Sequence, residues 1–343
     1  MLRKPVVLIT GAGGEIGHGL ITRLAASGRQ RIVTLDLTRL DPAIGSMVTR
    51  EFTGSILDNA LLERILAEFE IDLVFHLAAL LSTRSEFTPV MAHQVNVEGT
   101  LTLLEFAQKE GESHGRPVVF VYPSSIAAYG LPDTETRAAA GRVTEDQYTS
   151  PTTMYGCNKL YCELMGTYYA RHYKQLSAAP AASRVDFRAI RFPGLISAAT
   201  LPSGGTSDYA PEMLHAAARG EAYDCFVRPD TRIPFMAMPD AVEALLKLAA
   251  APRWELTRTA YNIGAFNPSA GEFRSRVLEA FPGAEIGFEV DTKRQGIVDS
   301  WPEDVDDSAA RADWGFTPTY DFARAFDEYL LPAIKARYAT AEA

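Results

Sequence analysis

A glycine-rich turn joins the first apolar run of this chain to its first helical pattern, and it limits the possible folds more than any other segment. Val6-Val-Leu-Ile9 leads into Thr10-Gly11-Ala12-Gly13-Gly14-Glu15-Ile16-Gly17. From near His18, Leu20, Ile21 and Leu24 then recur at helical spacing. The positions of Gly11, Gly14 and Gly17 suit a tight strand-to-helix turn. Its free backbone N–H groups, at a helix N-terminus, stabilise the charge of a pyrophosphate. Asp36 closes the next apolar run, 36 − 17 = 19 residues past the last glycine. At that distance a carboxylate accepts hydrogen bonds from both hydroxyls of an adenosine ribose and repels a 2′-phosphate. The segment therefore predicts a dinucleotide site for NAD in preference to NADP.

The same alternation continues through Arg31–Leu35, Leu73–Leu77, Val118–Val121 and Asp186–Phe192, apolar runs separated by longer amphipathic stretches. Parallel strands with crossover helices follow from that pattern. The expected fold class is α/β, a Rossmann-type doubly wound parallel sheet with a smaller C-terminal lobe. Residues 1–192 are expected to form the dinucleotide-binding domain and to carry the catalytic groups. Residues 193–343, where Pro and Gly become more frequent, are expected to be mainly the substrate-binding lobe, the chain returning to the first domain around 232–265. Two polar segments, Leu131–Pro151 and Ser177–Ser183, read as surface insertions.

Hydrophobic residues make up 47% of the 343 and charged residues 22%, as in ordinary globular proteins. The formal net charge of −10 opposes binding to nucleic acid. No apolar run reaches the roughly 18 residues of a membrane-spanning helix. Met1–Pro5 runs straight into the first strand with no room for a signal peptide, so a cytoplasmic location is expected. Cys157, Cys162 and Cys225 are odd in number and lack metal-ligand spacing, which suits free thiols in a reducing compartment and no metal site.

Tyr155-Gly-Cys-Asn-Lys159 places a phenol and an ammonium on one helical face. Alone, such a pair is commonplace on helix surfaces. Beside a dinucleotide site it reads as a proton-removing device: Lys159 favours the phenolate and lowers the Tyr155 pKa, while Ser125, after a buried strand, holds a substrate hydroxyl. His76, inside an apolar run, reads as structural. A non-catalytic protein that senses NAD is the alternative from another class, although it has no use for Ser, Tyr and Lys together.

With Ser55-Ile56, His76-Leu-Ala-Ala79, Asn96-Val-Glu-Gly-Thr100, Ser124-Ser125 and Tyr129-Gly130 added to these motifs, the chain resembles the extended short-chain dehydrogenase/reductase family over its whole length. That resemblance implies a catalytic trio of Ser125, Tyr155 and Lys159, with Asn96 supporting a proton-relay water. It implies cofactor contacts at Gly11, Gly14, Glu15, Ile16, Gly17, Asp36, Ser55, Ile56, Leu77, Ala78, Ala79, Asn96, Tyr155, Lys159 and Phe192. The second half is similar to the short-chain type of L-threonine 3-dehydrogenase through Phe192–Ser197, Leu201–Ala210, Cys225–Pro234, Met238–Asp240, Arg294-Gln295, Asp299–Pro302, Asp306–Ser308 and Asp313–Gly315.

The narrower likeness implies oxidation of the threonine β-hydroxyl to L-2-amino-3-oxobutanoate and NADH, with Tyr155 as general base. Substrate contacts would come from Ser82, Ser125, Tyr155, Gly205, Thr206 and Trp301. It also implies a homodimer through the helices carrying Asn96–Lys109 and Tyr155–Arg171. Three features depart from those enzymes: Arg84 stands where they have something small or neutral, Ser203 replaces a glycine, and the segment from Tyr129 to Tyr155 is long. Within the family, dehydrogenation of another β-hydroxy acid and conversion of a nucleotide sugar remain as alternatives, Arg228 and Arg232 being candidates to face a sugar nucleotide's diphosphate.

Overall fold

Seven parallel strands form the central sheet of the computed structural model, which describes residues 5–28, 31–178, 182–202 and 204–339. The strands are β1 (Pro5–Thr10), β2 (Ile32–Asp36), β3 (Arg50–Thr53), β4 (Glu70–His76), β5 (Val118–Ser125), β6 (Val185–Phe192) and β7 (Ala260–Asn262). Their order across the sheet is β7-β6-β5-β4-β1-β2-β3. Side chains covered on both faces explain why β1, β2 and β5 are mainly apolar; every residue of β6 is also buried, its Asp186, Arg188 and Arg191 held in ion pairs. Four polar-leaning residues with Phe52 alone buried make up β3, too short and mixed to stand out in the sequence.

One face of the sheet is covered by the helices Glu15–Ser27 and Met238–Ala250, whose Leu20, Ile21, Val242 and Leu245 pack on Val7, Ile9 and Ile32. Gly99–His114 and Met154–Arg171 cover the other, setting Leu103, Leu104, Cys162 and Met165 against Leu8, Phe120 and Phe187. The chain leaves the sheet after β6, returns through Met238–Ala250, and adds β7 at the edge beside β6. The remaining C-terminal elements share a core containing Tyr209, Met213, Phe226, Phe273, Trp301 and Phe326. No helix among the described residues is long and apolar enough to cross a membrane.

The segment Leu131–Pro151 is not a surface insertion. It forms the helix Thr134–Ala140, capped by Asp133, and a short strand, Arg142–Val143, that pairs with Asp304–Val305. Leu131 and Val143 are buried, and Arg137, only 4% exposed, donates to the Trp301 carbonyl at 2.7 Å and pairs with Glu303 at 3.2 Å. Polar composition concealed a packed element because its buried charge is fully hydrogen-bonded. Ser203, and residues 179–181 of the other polar segment, lie outside the described residues.

Candidate active site

The strand order reverses between β4 and β1, and a crevice at the carboxyl ends of the strands belongs at such a point. A cleft of about 540 Å³ lies there, lined by the residues that end or follow β1, β2, β4, β5 and β6. Its nucleotide end is made of backbone in close contact. Gly11 has φ +67°, and a Cβ on it would stand 2.5 Å from the Ala78 amide nitrogen. A Cβ on Gly17 would stand 2.3 Å from the Ala12 carbonyl oxygen. Gly14 occupies the N-cap of Glu15–Ser27 with no side-chain cap among the described residues, which leaves the first N–H donors of that helix for an anion. Asp36 is oriented by accepting from Gly13 N at 2.9 Å and Thr38 N at 3.1 Å, with lone pairs left over for a diol. This cradle and its carboxylate fit a dinucleotide.

Gly11, Gly14, Glu15, Ile16, Gly17, Asp36, Ser55, Ile56, Leu77, Ala78, Ala79 and Phe192 all line the cleft. Asn96 does not. It is buried behind the wall, where Oδ1 accepts from Leu80 N at 2.8 Å and Nδ2 donates to Leu80 O at 3.1 Å and to Asn158 Oδ1 at 3.3 Å. Its place is to fix the backbone of the loop after β4. His76, just before that loop, is held between Thr10 Oγ1 at 2.8 Å and Thr100 Oγ1 at 2.9 Å. Burial, with the nearby Lys159 charge, pulls its pKa down to about 3 and keeps the ring neutral.

Ser125, Tyr155 and Lys159 share one wall of the same cleft. Tyr155 begins the helix Met154–Arg171, whose N-cap Thr153 accepts from Gly156 N at 3.1 Å. The Met154 N–H donates to Glu86 Oε1 at 2.7 Å. Gly156 lets this first turn lie on the chain after Ser125, since a Cβ there would be 2.0 Å from Ala127 O. Ser125 Oγ accepts from Ala127 N at 3.1 Å, which leaves the hydroxyl free to donate.

Lys159 Nζ donates to Pro123 O at 2.6 Å and lies 4.6 Å from the Tyr122 ring centre and 5.3 Å from that of Tyr155. Burial pulls its pKa down to about 8, against the opposing influence of Cys162 and Glu163. Burial also pushes the Tyr155 phenol well above its ordinary range. The expectation that Lys159 activates Tyr155 in the protein alone is therefore corrected: the ammonium is bonded to a carbonyl, and desolvation of the phenolate prevails.

Sequence reasoning missed the supports beneath this wall. The Thr153 cap was legible as a Thr just before a helical run. Glu163 was not, because its partner Arg191, at 2.6 Å, lies 28 residues away; Ser124 also donates to this buried pair.

At the third end of the cleft, Ser82, Gly205 and Trp301 contribute lining. Thr206 stands just behind, its N and Oγ1 donating to Ser82 Oγ at 3.3 and 3.2 Å. Thr83 Oγ1 donates to Gly204 O at 2.7 Å and Arg294 to Gly205 O at 3.1 Å, so the glycine-rich loop is latched from two sides. Trp301 is both core and lining, and its indole N–H has no partner among the described residues. Arg228 and Arg232 do not reach the cleft. The first forms a two-pronged pair with Asp299 at 2.9 and 2.8 Å, and the second is taken by Asn267 O at 2.9 Å and Glu272 at 2.8 Å.

Comparison with known proteins agrees with this architecture. The model of the NAD dependent epimerase/dehydratase family matches residues 7–264. An uncharacterized epimerase/dehydratase of Staphylococcus aureus strain USA300 is 35% identical over 336 residues, which cover 96% of this chain and 97% of that one. The solved L-threonine dehydrogenase of Clostridium difficile superposes with a TM-score of 0.85 at 32% identity, over 98% of this chain and 99% of that one. For the holo form of the GalE-like L-threonine dehydrogenase from Cupriavidus necator the TM-score is 0.83 at 34% identity, over 97% and 99%. The chain belongs to the NAD-dependent epimerase/dehydratase family.

Proposed function

We propose that this enzyme oxidises the β-hydroxyl of L-threonine with NAD, giving L-2-amino-3-oxobutanoate and NADH. One observation supports it above the rest: Tyr155 and Ser125 line a single cleft between the glycine turn and a compact wall of Ser82, Gly205 and Trp301. The solved threonine dehydrogenases that superpose on this chain point to the same substrate.

In this reading, Gly11 to Gly17 would hold the pyrophosphate and Asp36 the adenosine ribose, giving NAD preference over NADP. Lys159 has ammonium protons beyond the one given to Pro123 and would hold the nicotinamide ribose. When bound, the nicotinamide supplies the hydride acceptor and a positive charge. Ser125 donates to the substrate hydroxyl and orients it; Tyr155 removes the hydroxyl proton as the β-carbon is oxidised. With its pKa pushed up by desolvation, the partly buried Tyr155 phenol needs a nearby positive charge to act as a base near neutral pH.

A nucleotide sugar is a poorer fit, since both arginines that would meet its diphosphate are committed elsewhere. Leu101, Tyr161, Leu164 and Tyr168 are exposed on the helices Gly99–His114 and Met154–Arg171, and they suit a homodimer through that face. Incubation of the protein with NAD and L-threonine, followed at the NADH absorbance, tests the assignment. Threonine-dependent NADH is expected; silence with threonine alongside conversion of a nucleotide sugar would refute it.

A further inference from the structure

Among the described residues, two cations line the cleft, and they are held in opposite ways. Lys159 is buried and bonded to Pro123 O. Arg84 is exposed, on the short helix Ser82–Phe87, and its guanidinium has no hydrogen-bond or ionic partner among the described residues. Only its carbonyl is engaged, accepting from Thr88 Oγ1 at 2.8 Å. The nearest acid in sequence, Glu86, accepts from the Met154 amide. Neighbouring arginines, by contrast, are spent on the fold: Arg137 on Trp301 O, Arg228 on Asp299, Arg232 on Glu272 and Arg294 on Gly205 O.

An unpaired surface arginine is ordinarily just solvated. Arg84 differs because its helix is fixed at both ends to catalytic and substrate elements. Ser82 and Thr83 are bonded to Thr206 and Gly204, and Glu86 holds the residue before Tyr155. The helix that carries the guanidinium is thus tied to the elements that hold Tyr155 and Ser82, while Arg84 itself lines the cleft. The other charged side chains lining the cleft among the described residues are the acids Glu15, Asp36 and Asp208. An anionic group arriving there has one uncommitted cation to meet, and a planar guanidinium matches a carboxylate with two parallel hydrogen bonds.

We propose that Arg84 binds the carboxylate of the substrate and makes the enzyme select alcohols that carry one. The proposal rests on the assignment of Tyr155 and Ser125 to the reacting hydroxyl made above. The test compares kcat/KM for L-threonine and for its uncharged amide, L-threoninamide, in the wild type, Arg84→Ala and Arg84→Lys, with KM for NAD measured in each.

Arg84→Ala is expected to lower kcat/KM for threonine about 10- to 100-fold, the range for a lost charge-assisted pair. It should leave the amide within about twofold, because the amide gains little from a guanidinium. Arg84→Lys is expected to recover part of the loss. Equal effects on acid and amide, or none on either, would overturn the proposal. So would a rise confined to KM for NAD, which would place the guanidinium on the cofactor's diphosphate. If the wild type ignores threonine but oxidises another hydroxy acid, the threonine assignment fails, while selective loss of that acid over its amide in Arg84→Ala upholds the role of Arg84.

Discussion

The two walls of the cleft are held by different physics. On the nucleotide wall, backbone meets backbone at distances that leave no room for a methyl group, as at Gly11 and Gly17. On the substrate wall, loops far apart in sequence are joined by single side-chain hydrogen bonds, such as Thr83 to Gly204 and Thr206 to Ser82. The first arrangement is nearly all-or-none, because close-packed backbone has no cheap relaxation. The second is adjustable: each bond contributes about 1 kcal/mol, so specificity can shift there without loss of the fold. Tyr155 and Lys159 sit between the two walls, on a helix that lies against the chain after Ser125 at Gly156 and is held to the substrate wall through Glu86.

Perturbation should follow that division. At the meeting point, Tyr155→Phe is expected to lower kcat about 1000-fold, within the span usual for a general base. NAD affinity, read by fluorescence titration, should stay within about threefold, since removing one hydroxyl removes at most one neutral hydrogen bond. Retained activity would take the proton-removing role away from Tyr155, whereas NAD binding without turnover of any substrate in the wild type would favour the sensor alternative. On the nucleotide wall, Gly17→Ala should weaken NAD about 10- to 100-fold, the equivalent of the 1–3 kcal/mol that forced overpacking costs. An unchanged Kd by calorimetry would show that the turn can yield and would break the contrast between the walls.

The first of these expectations was open to a reader of the sequence, because everything it uses is local. Gly11, Gly14 and Gly17 mark a turn, Asp36 ends a strand at a fixed distance, and Tyr155 and Lys159 are one helical turn apart. The supports were not legible for the converse reason. Arg137 and Trp301 are 164 positions apart, Thr206 and Ser82 are 124 apart, and Glu163 finds Arg191 across 28 residues. No local spacing announces such pairs. Asn96 makes a further pairing that its motif does not announce: it clasps the Leu80 backbone from 16 positions away.

A pH effect sharpens what anchors the nucleotide wall. His76 has a folded pKa of about 3 against an ordinary 6.5, so the unfolded chain binds more protons between those values. Its contribution to stability is therefore present above about pH 6.5 and is lost as pH falls toward 3. In urea titrations this one group should remove about 1.4 kcal/mol of stability per pH unit across that window. His76→Gln should flatten the slope even if it lowers stability at neutral pH; an unaltered slope would mean that other groups control acid unfolding. The smallest expected change is on the adjustable wall. Ser82→Ala should raise KM for threonine about fivefold with kcat nearly unchanged, as befits one neutral hydrogen bond. A collapse of kcat would show that wall to be as unyielding as its opposite.

Whether the two walls serve a single reaction is decided most directly by following the hydride. With L-threonine deuterated at the β-carbon and NAD, the nucleotide should be recovered reduced and carrying the deuterium, with the label absent from solvent. Reduced nucleotide free of label, or no reduction with threonine under conditions where NAD binds, would contradict the account.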